Sequence, residues 1–341
     1  MAPPWPGASR TWQDIRPSPA GSAPSTAACR GPTQRTHTPM PEPMSAPRLS
    51  EFFAAWEFFR EPALTGLLAG AVLGLLGVYI VLRRMVFLSA AMSQCAGLGV
   101  TLAFFIQIHL GVAAAIASPT AGALALTLLA GIVVFSDRSS GGGRRDALLG
   151  ILFVAGSAGT LALGTRIVQE IQDVQTILFG TAVAVMPEDF RMAATLALIL
   201  LPLHLWWMRG FMQASFDAEG ARVRNLPVGL LDGILLLSLA IAISVFTRII
   251  GALPVFAFTV LPAFAAIRVS PSVRTALVTA MVLGSVTGFS GYVLAWRHDL
   301  PVGAAQALVG LALVAIAEIL RQGLRLLGRG RHSNGRQDGP A

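Results

Sequence analysis

Nine stretches of this chain each run about 20 residues with scarcely a charge, the length an α-helix needs to cross roughly 30 Å of hydrocarbon. They fall near residues 62–82, 86–108, 112–135, 147–165, 190–208, 228–247, 249–267, 276–296 and 302–320. Composition agrees with that reading. Of 341 residues, 54% are hydrophobic and 12% are charged, whereas a soluble domain carries about 25% charged residues. A chain this poor in charge cannot present a water-compatible surface. The expected fold class is therefore an all-α polytopic membrane protein with eight or nine transmembrane helices. A shorter apolar piece, 176–186, is too short to cross and reads as a re-entrant half-helix, which is tolerated only where protein or a cavity shields its backbone ends.

The flanks differ from the spans. Residues 1–48 are rich in Pro, Ser, Thr and Ala, carry five arginines and show no apolar period. Such a segment buries too little to order itself, and it lacks the apolar core of a signal peptide. It reads as a disordered tail, with Met40 and Met44 as alternative starts. Residues 49–61 set acids among Phe and Trp at helical spacing, which suits a helix lying in the headgroup layer. Residues 321–341 form a basic tail.

Two absences narrow the chemistry. The chain has no lysine, so all 25 basic residues are arginine. A phosphate-binding Walker A loop and a Schiff-base mechanism both need lysine, so neither resides here. The only cysteines, Cys29 and Cys95, are far apart and form no zinc knuckle or disulfide framework. No His-Glu-x-x-His helix or Ser–His pair points to an intramembrane protease. A proton- or sodium-coupled carrier would show acids at mid-span, and none lies near a span centre.

Arginine placement sets orientation. Arg83, Arg84, Arg138, Arg144, Arg145, Arg222, Arg224, Arg268, Arg274 and the run from Arg321 fall on alternate connections. The positive-inside rule assigns that set, and with it the C-terminus, to the cytoplasm. The net charge of +8 thus marks topology rather than nucleic-acid binding. Glycines at Gly66, Gly70, Gly74 and Gly77 allow helix backbones to approach closely. Prolines within or beside spans (Pro119, Pro202, Pro254, Pro262) bend helices.

Between the fifth and sixth spans lies QASFDAEGARVRNLPV, residues 213–228. Ser215 can cap a short helix with Asp217 and Glu219 in its first turn and Arg222 and Arg224 toward its end, matching the helix dipole. Pro227 then precedes the next span. The segment is either a cytoplasmic docking knob or a solvated connection; composition weighs these equally.

Six blocks together, GVYIVLRRMVFLSAAMSQCAGLGV (77–100), DALLGILFVAGSAGTLALG (146–164), ILFGTAVAVMPEDF (177–190), SFDAEGARVRNLPV (215–228), GALPVFAFTVLPAFAAIR (251–268) and DLPVGAA (299–305), resemble the membrane subunit of ABC importers for zinc, manganese and iron. The resemblance spans roughly 62–320. It implies a permease that dimerises in the bacterial inner membrane, binds a cytoplasmic ATPase and receives a divalent metal from an extracytoplasmic binding protein. It implies no cofactor bound by this chain. It also makes 215–226 the coupling helix, with Ser215, Phe216, Asp217, Glu219 and Arg222 as its contact residues. The rival of another class is a secondary transporter that needs no ATPase.

One departure matters. The family's second span usually carries Asp and His four residues apart, on one helix face, where carboxylate and imidazole suit a borderline dication. Here Ala90 stands in the place of the Asp and Gln94 in that of the His, with Leu98 where the family has proline. The pathway residues are thus expected to be Ala90 and Gln94, with Cys95, one residue on, either a substitute thiolate ligand or a small buried hydrophobe. The same fold could equally serve a metal chelate or another small solute. His298 and Asp299, on the last outer connection, either draw in a cation by field or form an interfacial polar pair; His109 ends the second span. His204, beside Trp206 and Trp207, reads as part of an interfacial belt. Glu318 reads as an end-of-helix partner of Arg321.

Overall fold

In a lipid interior every backbone N–H and C=O must be paired within its own segment, so apolar runs of this length become helices. The computed structural model describes Phe52 and residues 56–111, 118–136, 142–167 and 185–334, the side chains of 142, 218 and 324–334 excepted, all within the compact unit Ser45–Ala341. Its long helices are α1 (Trp56–Leu82), α2 (Val86–Leu110), α3 (Pro119–Ser136), α4 (Gly142–Gly164) and α5 (Pro187–Trp206). Two short helices follow, α6 (Met208–Phe216) and α7 (Ala218–Val223), then α8 (Val228–Ile250), α9 (Ala252–Val269), α10 (Val273–His298) and α11 (Val302–Asn334). Nine helices among the described residues are long and apolar enough to cross a membrane, in the order and nearly the places expected.

Two boundaries differ from expectation. Pro62 does not separate a headgroup helix from the first span; it lies inside α1, which is continuous from Trp56. Phe52 is fully buried, stacked on Phe59 at 5.5 Å and edge-on to Trp296 at 5.4 Å. At the other end, α11 runs unbroken to Asn334, so most of the basic tail is helical. The disordered-tail reading of 1–48, including Cys29, and nearly all of the half-helix reading of 176–186 lie outside the described residues. Of the latter, Val185 and Met186 enter α5 as extended chain.

The helices form two groups. α1 packs on α10, α9 and α5, with α11 covering α9 and α10. α2 packs on α3 and α4, and α8 on α3. α2 and α8 both reach α9 and join the groups. The tightest seam is α1 on α10. Gly66, Gly70 and Gly74, one per turn, face Gly288, Gly284 and Ala280, and a Cβ on Gly70 or Gly284 would collide with the other's carbonyl. Gly99 and Gly122 make the same approach between α2 and α3. Without water to expel, such backbone contact supplies the packing that holds spans together. Several hydroxyls inside the bundle are satisfied locally: Thr127, Thr160, Thr259 and Thr287 each donate to the carbonyl four residues back at 2.7 Å.

Polar clamps sit at the two ends. At the arginine-rich end, Arg83 meets Asp232, and Glu318 lies 3.7 Å from Arg268 and 3.6 Å from Arg321. At the opposite end Arg248 reaches Asp189 at 3.3 Å and donates to Thr120 Oγ1 at 2.7 Å. That grouping is what nine alternating crossings require.

The seam generates a prediction. Gly284→Ala should destabilise the detergent-solubilised protein by about 1–3 kcal/mol, the usual cost of overpacking. Gly233→Ala, where an added Cβ meets nothing within 4 Å, should not. Thermal unfolding of the two variants side by side is the check; equal midpoints would contradict the seam.

Candidate functional site

α2 turns one face toward α4 and α9, and a cavity of about 440 Å³ lies between the three helices. α2 contributes Phe87, Ala90, Ser93 and Gln94; α4 contributes Phe153, Ser157 and Leu161; α9 contributes Ala252, Leu253 and Phe256. Ala90 and Gln94 are one helical turn apart, so both reach the same space. Gly156 brings the α4 backbone against α2 beside this space: a Cβ there would stand 2.7 Å from the carbonyl carbon of Gln94. Phe87 and Phe153 pack with centroids 5.4 Å apart and form one wall.

The polar inventory is short. Ser93 donates its hydroxyl hydrogen to the carbonyl of Ala90 at 3.0 Å. Gln94 Oε1 is buried and has no hydrogen-bond partner, so one acceptor is left facing an apolar surround. Among the described residues no carboxylate or imidazole lines the space. Cys95 is turned toward α4 rather than into the cavity: it is 6% exposed and its thiol donates to the carbonyl of Leu152 at 3.7 Å. Among the described residues no group of three or more His, Cys, Asp or Glu is placed to hold a metal ion.

His298 and Asp299 are not brought to this cavity. Both are exposed at the end of α10, where Asp299 adopts φ 51° and closes the helix as its left-handed cap. His109, at the end of α2, stacks on Phe105 at 4.3 Å. His204 corrects the interfacial-belt reading. It is fully buried, stacked on Phe211 at 4.7 Å and against Tyr79 at 6.0 Å, with Nδ1 donating to Leu200 O at 3.0 Å. Trp206, 86% exposed, and Trp207 do face outward. The helix turns about 100° per residue, so Trp206, two residues on, points to the opposite side, and Trp207 is the C-cap where the helix ends.

At the arginine-rich end, the expected short helix is present but capped differently. Asp217, not Ser215, is its N-cap: the backbone turns out of helix at φ −145°, and Oδ1 accepts from Gly220 N at 2.8 Å. Glu219 lies in the first turn and Arg222 in the last. Arg224 is the C-cap, so the helix stops before Pro227 is reached. Phe216, Asp217, Glu219, Arg222 and Val223 are exposed, while Ala221 is buried against the bundle. A groove of about 260 Å³ runs between α6 and α7, bordered by Met212, Phe216, Gly220 and Arg224.

Ser215 has another task. Its Oγ donates to Phe211 O at 2.6 Å and accepts from Arg83 Nε at 3.0 Å, while Arg83 Nη2 donates to Asp232 Oδ1 at 2.7 Å. One guanidinium thus ties the end of α1 to the segment just before α7 and to the first turns of α8. The Arg83 side chain is only 13% exposed. Sequence reasoning read Arg83 as an orientation signal and passed over Asp232. The available signal was an acid four residues into an otherwise apolar span.

Residues 55–321 match the model of the ABC 3 transport family. Similar curated proteins include the manganese transport system membrane protein MntC of Listeria monocytogenes, 28% identical over 274 residues that cover 79% of this chain and 93% of that one. A probable iron transport system membrane protein of Haemophilus influenzae is 26% identical over 262 residues, 77% of this chain and 93% of its own length. Among solved structures, PsaBC from Streptococcus pneumoniae in complex with Fab has the same fold, with a TM-score of 0.69 at 22% identity over 79% of this chain and 95% of that one.

The Arg83 clamp can be tested on stability. Asp232→Ala should cost about 1.5–3 kcal/mol, the range for hydrogen bonds to charged groups, because the guanidinium stays largely buried without its counter-charge. The exchange Arg83→Asp with Asp232→Arg should recover part of that loss in a thermal melt. Additive single-variant losses in the exchanged protein would contradict a direct pair.

Proposed function

The chain belongs to the ABC 3 transport family, and on that premise we propose that it is the membrane permease of an importer that moves a transition metal with power from a separate ATPase. The observation that carries this reading is α7. A helix of six residues, capped by Asp217 and ending in Val223 at 84% exposure, stands between two spans, just after Phe216, 58% exposed, at the end of α6. Exposed apolar side chains beside charges at a membrane-protein surface suit a soluble partner. The missing lysine agrees, because the nucleotide site then belongs to that partner.

In this reading the arginine-rich end faces the cytoplasm of a bacterial inner membrane, the C-terminus with it, as the positive-inside rule directs. Two copies form the permease, and an extracytoplasmic binding protein delivers the cargo at the Arg248 end. The names of the manganese and iron relatives support a metal cargo. ATP-driven closure of the partner displaces α7. Because Ser215, immediately before it, is tied through Arg83 to α1 and α8, the displacement passes into the bundle. The compartment beside Ala90 and Gln94 then opens to one side or the other. No chemistry is done on the cargo. Alternating access of this kind needs two arrangements of packed helices, and the two groups joined at α9 supply a natural seam.

Charge reversal on the exposed face of α7 tests the docking claim. With the partner ATPase in proteoliposomes, Glu219→Arg combined with Arg222→Glu should cut ATP-driven metal uptake at least tenfold while leaving the thermal midpoint of the permease within a degree or two. Uptake and ATP hydrolysis coupled as in the parent would contradict it.

A further inference from the structure

The cavity between α2, α4 and α9 has the wrong chemistry for a naked ion and the right chemistry for something larger. A bare transition-metal dication leaves water only for donors that repay its hydration, and those are thiolates, imidazoles and carboxylates. Among the described residues the polar groups on the cavity lining are the Gln94 amide and the hydroxyls of Ser93 and Ser157, and none is of that kind. Its walls are Phe87, Phe153, Leu161, Leu253 and Phe256. A charge placed there without paired ligands would be strongly disfavoured. Cys95 does not help, since its sulfur faces Leu152.

Size points the same way. About 440 Å³ falls within the range of small-molecule pockets, roughly 300–1,000 Å³, whose linings are mainly apolar and aromatic with a few placed polar groups. A lone cation would leave nearly all of that volume to water against aromatic rings. Gln94 Oε1 is a buried acceptor without a partner, so an occupant presenting an N–H or O–H beside it would satisfy it.

We propose that this compartment takes its metal already enclosed in an organic ligand, as an uncharged complex with an apolar outer surface and one hydrogen-bond donor, and not as a bare dication. The proposal rests on the permease reading and deepens it by naming the form of the cargo. Gln94 orients the complex, Phe87, Phe153 and Phe256 cover its faces, and Ala90 leaves the room that a carboxylate would fill.

The full chain in nanodiscs provides the test, with three probes: zinc chloride, free 8-hydroxyquinoline, and the hydrated neutral zinc bis(8-hydroxyquinolinate) complex, whose zinc-bound water supplies the hydrogen-bond donor, each measured against empty nanodiscs to subtract lipid partitioning. The complex should bind saturably and at least tenfold more tightly than zinc alone. Ala90→Phe, which fills the space, should abolish saturable binding. Gln94→Leu, a change of similar size that removes the acceptor, should weaken it several-fold without lowering the thermal midpoint. Ala90→Asp with Gln94→His should shift the preference at least tenfold toward bare zinc. Tighter binding of zinc chloride than of the complex by the parent protein, or no saturable binding of the complex, overturns the proposal. Tighter binding by free 8-hydroxyquinoline overturns its metal part. These are nucleotide-free equilibria, so a negative result alongside ATP-coupled uptake rejects the form of cargo alone. Loss of coupling with intact binding rejects the permease reading instead.

Discussion

The fold depends on backbone touching backbone. Once the spans are in lipid, burying apolar side chains gains little, because the tails outside are as apolar as the leucines inside. What remains is dispersion over close surfaces and a few polar clamps. The glycine stripe of α1 meets the glycines of α10 so closely that no side chain fits between them. That contact makes α1 the most enclosed of the spans. It also leaves α4 and α5 with outward faces of exposed Ile151, Val154, Leu198 and Ile199, a surface suited to lipid.

A helix held so firmly at its centre is useful because its end is not apolar. α1 finishes at Arg83, whose guanidinium reaches the segment before α7 and the start of α8. Just inside lie Tyr79, His204 and Phe211, stacked together. A rigid rod joined to the segment before a surface helix by the Arg83–Ser215 hydrogen bond, and to α8 by a partly buried ion pair, is the physical basis for the proposed transmission. The geometry of α7 and the packing of α1 are therefore parts of one arrangement.

Much of the architecture was legible in the sequence. Hydrocarbon thickness and helical rise fix the length of a span, so nine apolar runs became nine helices among the described residues. Glu318 pairs with Arg321 as their spacing implies, and Arg268 joins them from α9. Local signals were less decisive where two residues competed for one role. Both Ser215 and Asp217 can cap a helix. Arg83, distant in sequence, takes the Ser215 hydroxyl and leaves Asp217 to the cap. Pro62 looked like a boundary, but near a helix start few carbonyls are freed by it, and Phe52 packs over the preceding turn. His204 was misread because its tryptophan neighbours suggested an interface, while helical rotation sets it opposite Trp206, on the buried side.

The candidate site was legible in position and less so in chemistry. The family resemblance singled out Ala90 and Gln94, their four-residue spacing sets them on one helix face, and both line one cavity. Nothing local revealed that three phenylalanines from three helices would surround them, that the thiol of Cys95 would turn to α4, or that His298 and Asp299 would lie apart from the cavity. Those facts belong to tertiary packing. The claim on which the account turns is that this lysine-free bundle is driven by a soluble motor. The direct measurement is metal accumulation in proteoliposomes holding the permease with its ATPase partner, with and without ATP, beside liposomes holding the permease alone. The account predicts accumulation only when the partner and ATP are both present. Accumulation by the permease alone, with no nucleotide, would contradict it.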